Sequence, residues 1–220
     1  MAQVASDLNT LPAGCVRCEY LGSTGKQWID TEKVVYADED LSLDYYFTKD
    51  LTKNNVIMGW RYGGNYLNTS QCYVNYNFNV TGNQVKLWYG IGATPSDSGV
   101  NIPIGVRARL DISTKSNKIF IDGVAAGGIY DKTFTLAYDG KKGSVYNNYL
   151  FALNNRGVAS TVASTRIYEY SLKDHTGNYT QHLIPILDPN GTPCFYDTVS
   201  KKFHYNKGAD TFLYKIAENQ

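Results

Sequence analysis

The chain has 220 residues, 43% of them hydrophobic, enough for one substantial core, and all-β sandwiches of this length are commonly one domain. Twenty-one Lys and Arg against 20 Asp and Glu leave a formal charge of +1, so no long-range field gathers nucleic acid or an anionic membrane. Nineteen Tyr, eight Phe and three Trp, with 20 Gly and six Pro, favour strands and tight turns over helices. Tyr offers both a core ring and, where exposed, a flat recognition face with a polar tip.

Residues 1–14 are small and polar, with Pro12 and Gly14, and read as an extended arm ahead of a single domain over 15–220. The first residues lack the basic and apolar regions of a secretory leader, and no apolar run reaches membrane-spanning length. The expectation is a protein made in the cytoplasm without a signal peptide and without membrane insertion. Cys15 and Cys18 form a C-x-x-C that could be redox-active or half of a zinc site, but no second C-x-x-C or H-x-x-x-H accompanies it. Free thiols are the reading adopted, with Cys72 and Cys194 inside strand-like apolar patterns.

Strand signals then follow one another. Leu41 to Phe47 and Val56 to Trp60 are candidates, as is Cys72 to Val80, in which apolar even positions alternate with Asn75, Asn77 and Asn79. Val85 to Tyr89 follows, then Val106 to Ile112 with apolar even and charged odd positions from Val106 to Asp111. Asn117 to Ile121 runs into Asp122-Gly123, the strongest local hairpin signal. Tyr149 to Leu153, Arg166 to Leu172, His182 to Leu187 and Cys194 to Tyr196 complete the set, and only the tail around Phe212 to Ala217 reads as helical. Short strands at this density indicate a sandwich or barrel.

Catalytic chemistry finds little support. A glycosidase needs two carboxylates facing one groove, and the acidic cluster is Asp38-Glu39-Asp40 with Asp44 beyond it. In a strand 38 and 40 share a face and 39 opposes them, and the cluster sits in what reads as a solvated turn. His175, His182 and His204 have no marked Ser or Cys partner, and no phosphate loop or dinucleotide fingerprint is present. Calcium on loop acids has no D-x-D-x-D-G spacing behind it, so no cofactor is expected. Binding chemistry is better served by Trp60, Arg61, Tyr62 and Tyr66 around Gly63-Gly64, which suit an exposed loop that stacks on sugars or a protein surface. The same composition also suits a hairpin whose aromatics fold back into the core. Trp88 and Tyr89 form a second candidate, and Trp28 is expected inside.

The run from Cys18 to Thr31, CEYLGSTGKQWIDT, resembles the "YLESTGTQYIDT" opening of laminin-G-like, concanavalin A-like jelly-roll modules of gut bacteria and their phages. IFIDG at 119–123 is similar to the family's "VYIDG", and 149–154 to its "LFA" strand. Residues 163–168, then LIPILD at 183–188 with GTPCFYD at 191–197, and KFHYNKG at 202–208, resemble the closing runs in order. Lys26 and Trp28 depart from the commoner opening. The resemblance implies a two-sheet antiparallel jelly roll in which Gly123 and Gly191 supply turns, and Tyr196 and Phe203 core rings. It carries no obligatory catalytic motif. The function expected is non-enzymatic: a virion surface protein, as capsid decoration or tail accessory, with other virion proteins as partners, host or mucus glycans as further ligands, and possible self-association. The alternatives are an extracellular carbohydrate-binding module of a gut bacterium and, disfavoured by the missing carboxylate pair, a glycoside hydrolase.

Overall fold

Alternation of apolar and polar residues commits most of this chain to strands, and the computed structural model shows where they pair. It describes residues 11–47, 56–61, 71–75, 85–90, 96–102, 105–116, 118–128, 137–138, 141–142 and 146–218; at 61, 71–75, 85–90, 96–102, 127–128, 137–138 and 141–142 it describes the backbone alone. The strands are β1 (Val16–Thr24), β2 (Ile29–Asp30), β3 (Glu39–Phe47), β4 (Val56–Arg61), β5 (Gln71–Asn75), β6 (Val85–Gly90) and β7 (Ser96–Ile102). Next come β8 (Arg107–Ser113), β9 (Lys118–Ile121), β10 (Val124–Gly128), β11 (Ala137–Tyr138), β12 (Lys141–Lys142), β13 (Tyr149–Leu150) and β14 (Leu153–Asn155). The chain closes with β15 (Val158–Ser160), β16 (Ser164–Asp174), β17 (Tyr179–Leu187), β18 (Pro193–Asp197), β19 (Phe203–His204) and β20 (Leu213–Ile216).

Two main sheets result. The larger runs β10-β9-β8-β3-β16-β1-β17-β18-β19, with β20 also on β1, and the smaller runs β15-β14-β4-β5-β6-β7, with β13 bridging β4 to β2. Named strands pair antiparallel except β14 with β4. One apolar cluster draws Leu43, Tyr45, Phe47, Leu110, Ile167 and Tyr170 from the larger sheet and Ile57, Met58, Trp60 and Leu150 from the smaller. The protein is therefore an all-β, two-sheet β-sandwich, with no helix among the described residues.

Several local outcomes follow from residue chemistry. Asp122 and Gly123 both take positive φ, 50° and 77°, the turn a two-residue hairpin between β9 and β10 requires. Alternation in β8 buries Ala108, Leu110 and Ile112, while Val106 lies one residue before the strand and stays exposed. The run expected as one strand from Tyr149 to Leu153 is broken in two, because Phe151 adopts a left-handed φ of 64° and turns its ring onto Phe195 and Phe212. The tail expected to be helical is instead β20, paired along β1. Main-chain partners along β1 outweigh the weak local preference of a short segment that cannot hold a helix alone. Trp28 is partly buried and packs on Tyr149, with ring centroids 4.5 Å apart. Beside it Gly208 lies so close to the Lys26 carbonyl that a side chain there would collide with backbone.

Where the arm is described, at residues 11–14, it departs from the extended form expected. Residues 1–10 lie outside the described residues. Residues 12–15 close a turn, with the Cys15 N–H donating to the Pro12 carbonyl at 3.1 Å, and Leu11 packs beside Ile184, Ile186, Cys194 and Tyr196. This stretch is folded back on the domain rather than extended, because Leu11 and Cys15 gain an apolar surface to cover.

Candidate functional site

The sequence offered Trp60 to a binding loop or to the core, and for this one residue the structure corrects the binding assignment. Trp60 is fully buried in the main cluster, because β4 lies between β13, β14 and β5 in the smaller sheet and is covered on both faces. Its ring cannot stack on a ligand; of the two readings of this segment, folding back into the core is the one Trp60 takes. Arg61 ends β4 opposite Asn155, with its side chain outside the described residues, as are Tyr62 and Tyr66 entirely. Trp88 and Tyr89 sit in β6 opposite Tyr73 and Cys72, described by backbone alone.

The acidic cluster is also not one solvated turn. Asp38 is exposed, but Glu39 begins β3, is 3% exposed, and receives the Lys33 ammonium at 2.8 Å, the Thr180 hydroxyl at 2.5 Å and the Tyr36 N–H at 2.8 Å. Asp40 faces the other way, toward Thr114 and His175. Successive strand residues point to opposite faces, so Glu39 and Asp40 do not face one groove.

The densest functional-looking chemistry lies on the outer face of the larger sheet. One cross-strand row runs Arg107, Tyr46, Arg166, Gly22, Leu213 over β8, β3, β16, β1 and β20. The Arg166 guanidinium lies 4.7 Å from the Tyr20 ring centre and 5.0 Å from that of Tyr46. No carboxylate among the described residues pairs with it. Gly22 lies between Arg166 and Leu213 in this row, and a Cβ there would sit in ordinary contact with both stems. Arg107 lies 3.9 Å from the Tyr168 ring centre and grips Asp44 with two bonds of 2.9 and 2.7 Å. That bidentate bond holds the Arg107 pKa above its ordinary value.

A bulge positions Tyr168. The β16–β3 register shifts between Ile167 and Glu169, so Ile167 enters the core while Tyr168 packs edge-on against Tyr20 at 5.5 Å. Further along the same face, Arg109, Asp111, Ser42, Asp40 and Lys173 line a shallow pocket of about 190 Å³.

His182 closes the polar row. Its Nε2 donates to Glu169 at 3.2 Å, its Nδ1 meets the Thr198 hydroxyl at 2.9 Å, and its ring stacks on Tyr179. The His182 bond pulls the Glu169 pKa down. Thr198 is 1% exposed, so this Thr-His-Glu chain holds strands together rather than presenting a nucleophile to solvent. No local pattern signals it, because its members lie 13 and 16 residues apart and meet only through the β16–β17–β18 pairing.

Cys15, Cys18 and Cys194 are free thiols. Burial raises all three pKa values, to about 11 for Cys18 and about 12 for Cys194, the pattern of inert cysteines. No group of three or more His, Cys, Asp or Glu able to hold a metal occurs among the described residues. No protein family model matches the chain. No curated protein matches it either.

Proposed function

We propose that this chain is a non-enzymatic binding and structural module of the laminin-G-like, concanavalin A-like jelly-roll kind. In this reading it docks on a phage particle as a capsid decoration or tail accessory, and takes host or mucus glycans on its wet sheet face. The observation that carries the binding role is the Arg166 cradle. Two tyrosine rings hold a guanidinium that no described carboxylate neutralises, leaving a planar set of N–H donors for acceptor groups on a partner. Arg and Tyr are the residue types that dominate binding energy at interfaces, and strand-borne side chains need little ordering on contact. The virion setting rests on the resemblance of the opening, central and closing runs to modules of gut bacteria and their phages. A module displayed by a gut bacterium would use the same face on glycans, and is the second reading.

Two measurements test this. Mass spectrometry of purified particles from the source culture is expected to find the chain at many copies; finding it only in the secreted fraction favours the second reading. Binding of the pure protein to particles or a glycan array is expected to fall by roughly tenfold or more in Arg166→Ala and in Tyr46→Ala. Unchanged binding in both variants removes this face from the function.

A further inference from the structure

A second site is built differently from the wet face. A pocket of about 160 Å³ is lined by Gln181, His204, Lys202, Glu32 and neighbouring polar side chains. Two of these side chains are almost wholly buried and each keeps one polar atom without a partner. Gln181, 2% exposed, donates its amide to the Thr31 carbonyl at 2.8 Å, and its Oε1 accepts nothing. His204, 4% exposed, meets the Asp30 carbonyl through Nδ1 at 3.1 Å, and its Nε2 has no partner. A carbonyl only accepts, so the proton of the neutral ring sits on Nδ1 and Nε2 is a bare acceptor.

Unmet buried acceptors cost free energy, and here two contribute to the lining of one cavity. The hydroxyl protons around them are already committed. Thr31 donates to the Asn148 carbonyl at 2.8 Å, Thr180 to Glu39 at 2.5 Å and Ser200 to Asp197 at 2.7 Å. The Lys33 ammonium is held by Glu39 at 2.8 Å. What remains is an excess of acceptors plus one loosely held cation, Lys202, 65% exposed and 3.6 Å from Glu32. Such a pocket calls for an occupant that brings hydrogens and can also accept from an ammonium.

We propose that this pocket binds a single sugar ring or a similarly compact polyol, whose hydroxyls donate to Gln181 Oε1 and His204 Nε2 and accept from Lys202. A primary amine would meet the same acceptors, but it would face the Lys202 charge and cost more to desolvate. The volume is about half the roughly 300 Å³ at which drug-sized sites begin, which limits the ligand to about one ring. Both orphan atoms are out of contact with water in this structure, so the ligand reaches them only as side chains that line the pocket shift. The site is independent of the Arg166 face, and its failure would leave that reading standing.

The test is a histidine side-chain 15N spectrum of the intact protein titrated with glucose, galactose, mannose, fucose, N-acetylglucosamine and sorbitol. The expected result is a saturable shift of the His204 Nε2 signal with at least one of them, and no shift of His182. In Lys202→Met, a surface change that leaves the fold intact, the affinity is expected to fall roughly 2- to 12-fold, the worth of one hydrogen bond. Gln181→Met is expected to abolish the shift. Absence of any saturable His204 shift across the panel, with a crystal of the soaked protein showing ordered water only, overturns the proposal. So does a shift that both variants retain unchanged.

Discussion

Two regions of the larger sheet lie on its polar side and have opposite fates. Across β8, β3, β16 and β1, charged and aromatic side chains stay accessible, with Arg107 52% exposed at its side chain. Across β17 and β18, Ile186 and Cys194 are fully buried, and Leu11, Cys15 and Phe203 lie over them. Strand residues alone do not make one region wet and the other dry. The difference is that residues 11–15 come back over the second region, with Phe203 of the edge strand β19 packed against the same cluster, while the first keeps exposed side chains such as Arg107. An outward strand position becomes core only when another segment covers it.

Substitutions can break this contrast. The largest effect is expected at Ile186→Ala, where a buried cavity should cost about 3 kcal/mol of unfolding free energy in urea titrations. Asp188 comes next. Its carboxylate accepts from the Asn190 and Thr192 N–H groups at 2.9 and 2.8 Å and from the Tyr205 hydroxyl at 3.0 Å, pinning the β17–β18 turn. Asp188→Ala is expected to cost about 2 kcal/mol by the same measurement, since it leaves those donors unmet. These bonds, led by that from Thr192, lower its pKa from the ordinary 3.8, so its stabilisation is present above about pH 3.8 and is lost as pH falls toward the lower folded value. Thermal unfolding scanned from pH 6 to pH 2 should show a steeper acid loss in the parent than in Asp188→Ala.

The open region should behave otherwise. Arg166→Ala is expected to change stability by about 1 kcal/mol or less, while binding falls as set out above. A loss of several kcal/mol in this variant would make the cradle a structural clasp and not a docking face. The smallest effect concerns the covered thiols. Their raised pKa values mean stabilisation that is complete below about pH 9.0 and fades only as pH rises toward the folded values. At neutral pH, an aromatic disulfide reagent should label Cys18 and Cys194 far more slowly in native protein than in urea. Equal rates would show that the covering segment opens freely.

The sequence disclosed the strands that alternate strictly, β3 and β8 among them, and the Asp-Gly turn, because period-2 burial and left-handed turn residues are local properties. It left open or misread what depends on coverage. Trp60 could be read as an exposed binder or as a core ring, because its neighbours are Arg, Tyr and Gly, and only the structure decides, with strand partners on both edges of β4 and an apolar layer over it. Glu39 looked solvated among acids, but Lys33 and Thr180, the latter 141 residues distant in sequence, enclose it. Arg166 gave no local signal, since the cradle needs Tyr20 and Tyr46 delivered by two other strands. Orphan acceptors at Gln181 and His204 are likewise invisible until the backbone fixes which bonds are already made.

The pairing of β1 has a consequence for how the protein comes into being. Its partners are β16, β17 and β20, which begin at residues 164, 179 and 213, so the first described strand waits for the last part of the chain. Contacts of such long sequence separation carry a large loop-closure entropy and slow the folding barrier. On the ribosome, the larger sheet cannot close around β1 until residues 164–216 have emerged, and during that interval β1 offers both bare edges to any neighbouring nascent chain.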